Sequence, residues 1–103
     1  MNRAIYRYRF GDDVPLDDAK GSLLLSVIVV EGLYGRSAVR LDAAFCFDRK
    51  KRVCVVDAGT DVGRAISRVF TTFLTREFGE ESFRVENVGQ QREAALVAHL
   101  HNS

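Results

Sequence analysis

The chain has 103 residues, the length of one domain. Hydrophobic residues make up 47% and the formal charge is only +1, which excludes a disordered polar chain and leaves no overall basic field for nucleic acid. The longest apolar stretch, residues 23–30, is far shorter than the roughly 20 residues of a membrane span, and residues 1–10 are charged, unlike a secretory leader. A cytoplasmic protein with reduced thiols at Cys46 and Cys54, and no membrane association, is the expectation.

Residues 3–10 alternate, with Ala4, Tyr6, Tyr8 and Phe10 on one side and Arg3, Ile5, Arg7 and Arg9 on the other. Period two with aromatic residues predicts a strand, which Gly11, Asp12 and Asp13 break. A helix follows, with Asp13 as its N-cap and Pro15 in its first turn, where a missing N–H leaves nothing unpaired. Asp17 and Asp18 suit the positive end of its dipole. Leu16, Ala19, Leu23, Val27, Val30 and Tyr34 form one apolar stripe at spacings of three and four, and Gly35 ends the helix. The β-branched run Val27, Ile28, Val29 and Val30 also suits a buried strand.

Residues 37–48 read as the next strand, with Val39, Leu41, Ala43, Phe45 and Phe47 on one face and Arg40, Asp42, Ala44, Cys46 and Asp48 on the other. Arg49, Lys50 and Lys51 make a polar turn into a third strand, 52–57, and the two pair as a hairpin. Thr60 caps a second helix striped by Val62, Ile66, Val69, Phe70, Phe73, Leu74 and Phe78 and closed by Gly79. Residues 83–88 form a short fourth strand. The tail beyond Gln90 has helix-forming residues and a weak stripe of Leu96, Val97 and Leu100.

This order predicts an α+β domain over residues 1–89. It is a ferredoxin-like β-α-β-β-α-β arrangement, two helices on one face of a four-stranded antiparallel sheet, followed by a tail, 90–103, suited to a short helix. The other sheet face stays open and carries Arg3, Ile5, Arg7 and Arg9, then Arg40, Asp42, Ala44, Cys46 and Asp48, then Arg84 and Glu86. Topology alone does not imply function.

One feature exceeds what this fold requires. Opposite the core stripe of the first helix lie Leu24, Leu25, Ile28 and Val29, with Gly21 and Gly32 beside them. A helix packed on one sheet needs one apolar face, and contiguous exposed apolar patches mark interfaces. The expectation is a non-catalytic module that homodimerises or docks a protein partner through these four residues. The alternative is an anionic-ligand or nucleic-acid site on the open sheet face, formed by Arg7, Arg9, Arg40 and Arg84. Twelve of the fifteen basic residues are arginine, the side chain suited to bidentate anion contacts.

The remaining signals are weaker. Single-strand RNA-binding domains of similar topology stack bases on exposed aromatic residues, but here Tyr6, Tyr8 and Phe10 are expected to point at the core. Asp57, Gly59, Thr60 and Asp61 have the look of an anion-binding strand-to-helix turn, yet capping by Thr60 and a dipole contact from Asp61 explain them. Gly32, Leu33, Tyr34 and Gly35 match the bare spacing of the backbone-clamping loop of KH domains, a loop that joins two helices, and are read as helix-ending glycines ahead of a strand. Cys46 and Cys54 would lie opposite each other if the hairpin centres on Lys50, but two thiols do not complete a zinc site. His99 and His101 sit in the tail at a spacing that does not share a helical face. No metal or cofactor is expected. The loop after the first strand is acidic, which opposes the phosphate-binding role it has in small acyl phosphate hydrolases of this topology.

Overall fold

Alternation along the first strand sets the layers. In the computed structural model, which describes residues 4–89, β1 (Ile5–Phe10) turns Tyr8 and Phe10 into the core. It lies between β3 (Val53–Asp57) and β4 (Phe83–Asn87), and β2 (Phe45–Asp48) completes the sheet outside β3. Every pairing is antiparallel, in the order β2-β3-β1-β4. Tyr8 stands opposite Cys54 and Val85, and Arg7 opposite Val55 and Glu86.

Helices α1 (Leu16–Tyr34) and α3 (Asp61–Phe78) pack on the Tyr8 face and against each other. The core between them and the sheet contains Tyr8, Phe10, Leu23, Val30, Cys54, Val56, Ile66, Phe70 and Leu74. The Tyr8 ring lies 4.8 Å from Phe70. Its hydroxyl is within hydrogen-bond reach of the Ser67 hydroxyl, of Thr71 Oγ1 at 2.9 Å and of the Ser67 carbonyl at 3.1 Å. Burial raises the Tyr8 phenol above its usual value, and the Ser67 and Thr71 hydroxyls pull it part of the way back. On α1, Ser22 Oγ donates to Glu77 of α3 and Ser26 Oγ to the Ser22 carbonyl. These small residues turn the side of α1 beside Leu23 toward α3.

The described residues are thus α+β, with a four-stranded antiparallel sheet and three α-helices, compatible with a ferredoxin-like type of arrangement. The third helix is a correction. Residues 36–42, expected as the first half of a strand, form α2 (Arg36–Asp42), and only Phe45–Asp48 is extended. Gly35, at φ 88°, turns the chain out of α1, and helix resumes at once. Ala38 and Val39 of this stretch reach the core, joined one turn after Val39 by Ala43, which caps the helix, a helical spacing, while Leu41 is 85% exposed. The period-two pattern was therefore shared by a short helix. Gly32 does not end α1, which runs on to Tyr34. At its other end α1 begins after Pro15, with no side-chain cap from Asp13.

Thr60 caps α3 as expected, its Oγ1 accepting from the Gly63 N–H at 3.0 Å. Arg52, expected to open the third strand, instead closes the hairpin turn at φ 55°. Its guanidinium donates to the carbonyls of Gly11 and Val14, tying that turn to the loop before α1. The tail, with Leu96, Val97, Leu100, His99 and His101, lies outside the described residues, as does Arg3.

The seat of α3 on the end of β3 allows no side chain at Gly63, where a Cβ would stand 2.0 Å from the Asp57 carbonyl oxygen. Gly63→Ala is expected to lower stability by about 1–3 kcal/mol, read as the urea midpoint. An unchanged midpoint would show that the first turn of α3 shifts freely.

Candidate functional site

Packing α1 beside α3 leaves its opposite side in solvent. Leu24, Leu25, Ile28 and Val29 are 47%, 54%, 62% and 40% exposed, and Leu33 continues the strip. All four residues expected at an interface therefore stand on one uncovered helix face. Gly21 lies in the same strip, where the lack of a side chain opens a groove of about 520 Å³ between α1 and α3, bordered by Leu25 and Phe73 and by Asp18, Arg76 and Glu77. The strip is apolar along its centre and charged at its margins.

The open sheet face carries Arg7, Arg9, Val53 and Val55 across the two central strands, Cys46 and Asp48 on β2, and Arg84 and Glu86 on β4. Arg7, Arg9 and Arg84 are together as expected. Arg40 is not with them: it lies in the last turn of α2, away from the sheet, because the segment that should have carried it into β2 is helical. Asp42 leaves the face for the same reason, and its carbonyl accepts from Thr60 Oγ1. Arg7 Nη2 pairs with Glu86 Oε2 at 2.8 Å, and Arg9 Nε lies 3.5 Å from Glu86 Oε1. The hydrogen bond from Arg7, with the nearby charges of Arg7, Arg9 and Arg84, holds the Glu86 carboxyl below its ordinary value. The face is thus partly neutralised from within. Its described residues include no aromatic side chain on which a base would stack. A concavity of about 540 Å³ remains, floored by Val53 and Val55 and rimmed by Arg7, Arg9 and Lys51. The Nε of Arg7 is buried with no hydrogen-bond partner among the described residues.

The other candidates are engaged locally. Asp57 Oδ1 accepts from the Gly59 N–H at 2.9 Å, and Asp61 pairs with Arg64 one turn on. Cys46 pairs across the ladder with Val55, not Cys54, so the two free thiols sit on opposite faces of the sheet, Cys46 exposed and Cys54 buried. Among the described residues no cluster of histidine, cysteine or carboxylate side chains is placed to hold a metal ion, and no helix is long and apolar enough to cross a membrane. Ser22, Ser26 and Arg52 were missed as structural determinants. The two serines sit one helical turn apart beside the predicted core stripe, which is a legible signal. Nothing local marks Arg52 as the tie between two loops.

The chain matches no family model, no curated protein and no solved structure.

Burial, with a smaller contribution from Cys46, pushes the Cys54 thiol from 9.0 up to about 12. The folded chain therefore keeps a proton that the unfolded chain releases above about pH 9. This contribution to stability is constant below pH 9 and is lost between pH 9 and 12. Iodoacetamide is expected to modify Cys46 alone in the native chain and Cys54 only after unfolding, as peptide mass spectrometry would show. Equal modification of both would contradict the buried setting of Cys54.

Proposed function

We propose that this chain is a non-catalytic protein-docking module, a ferredoxin-like sandwich with one added helix, which associates through the outer face of α1. The observation that carries this reading is the exposure of Leu24, Leu25, Ile28 and Val29 as one strip on a helix whose other side is already packed. Such an apolar strip on a small domain favours association with another chain over exposure to water. The local engagement of Asp57, Thr60 and Asp61 supports a capping role for that turn in place of catalysis. Two free thiols, one exposed, fit a reducing, cytoplasmic setting.

A photo-crosslinking side chain at position 25 is expected to give a defined adduct with another polypeptide chain in cells. Ile28→Glu should abolish it while leaving the circular dichroism unchanged, since Ile28 faces solvent. No adduct, or one indifferent to Ile28→Glu, would sink the reading.

A second reading is an anionic-ligand site on the sheet face, favoured by the concavity beside Arg7, Arg9 and Lys51 and by the Nε of Arg7, which has no hydrogen-bond partner among the described residues. Inorganic phosphate or a short single-stranded oligonucleotide should then bind with an affinity that falls as salt rises. Arg9→Glu should weaken it at least tenfold, and absence of binding at low salt removes this reading.

A further inference from the structure

Helix α1 contains two glycines that its own fold does not use. A Cβ at Gly21 or Gly32 would meet nothing within 4 Å, neither residue needs a positive φ, and both lie inside the helix, where glycine is less favourable than alanine. Helical spacing puts both on the midline of the exposed strip, one before the Leu24 and Leu25 pair and the other after the Ile28 and Val29 pair. Positions 21, 24, 25, 28, 29 and 32 are all exposed and are symmetric about the point between Ser26 and Val27. A surface with that symmetry is complementary to itself when a second copy runs in the opposite direction.

We propose that the partner of α1 is a second copy of this chain, packed antiparallel along it about a two-fold axis passing between Ser26 and Val27. This rests on the docking role given to α1 above and assigns its occupant. Gly21 faces the partner's Gly32 at each end, so the two helices approach closely. Leu24 packs on the partner's Ile28 on one side of the axis, and Leu25 on the partner's Val29 on the other. Charge agrees with this direction. Lys20 and Glu31 lie on the same side of the strip, near its opposite ends, and neither has an ion-pair partner among the described residues. In the antiparallel arrangement Lys20 comes beside the partner's Glu31, twice by symmetry. A parallel arrangement would set Lys20 against the partner's Lys20 and Glu31 against the partner's Glu31.

The test is the dimer dissociation constant by sedimentation equilibrium at low ionic strength. The native chain is compared with Lys20→Glu, Glu31→Lys, the variant carrying both, Gly32→Leu and Ile28→Glu. Each single charge reversal is expected to weaken association roughly tenfold, because it places like charges together at two sites, and the double reversal to restore it to within about threefold. Gly32→Leu should weaken association at least tenfold with an unchanged circular dichroism spectrum, since its side chain meets open space within one chain. A dimer broken by Ile28→Glu but indifferent to all three charge variants and to Gly32→Leu would overturn the antiparallel register and leave the docking role standing. A native chain that stays single at all concentrations, while still giving an Ile28-dependent adduct, would overturn the second copy as partner and point to a different protein. A single chain with no adduct removes the docking role itself.

Discussion

Tyr8 is where the sheet and the helix layer are tied together. It lies on the central strand, fully buried, with its ring against Phe70 and its hydroxyl among Ser67 and Thr71 of α3. A buried phenol without partners would be expensive, so its hydroxyl restricts where α3 can lie along β1. At the head of the helix, the approach of Gly63 to the Asp57 carbonyl sets how closely α3 meets the end of β3. These two contacts place α3, and α3 in turn fixes which side of α1 is inside, through Ser22 and Glu77 and through the core contact of Leu23.

The uncovered strip on α1 follows from that placement. A helix rich in leucine, isoleucine and valine around its circumference suits burial on all sides, but a two-layer fold covers only one. The residues that face α3 and the sheet include Ala19, Ser22, Leu23, Ser26 and Val30, and several of them are small, which brings α1 close to α3. The larger Leu24, Leu25 and Ile28 are left outside. The distribution is the reverse of what stability of a lone chain would favour.

The sheet face shows the opposite economy. Its arginines stand in a row that would attract anions, but Glu86 sits between Arg7 and Arg9 and draws both toward itself. Such partly exposed pairs are individually weak, and their effect here is chiefly on the local field, which a bound anion would have to compete with.

Much of this was legible in the chain itself. Alternation of aromatic and arginine residues along β1, the capping of α3 by Thr60, the glycine stops at Gly35 and Gly79 and the apolar excess of α1 all depend on neighbours within a few residues, and local pattern is enough to determine them. The stretch from Arg36 to Asp42 was not legible, because its apolar residues satisfy both a period of two and a short helix, and only the core contact of Ala38 and Val39 chose between them. That choice removed Arg40 from the sheet. The facing of Cys54 and the role of Arg52 likewise waited on tertiary structure, since the register of the hairpin and the meeting of two distant loops are set by how the layers pack and not by any neighbouring residue.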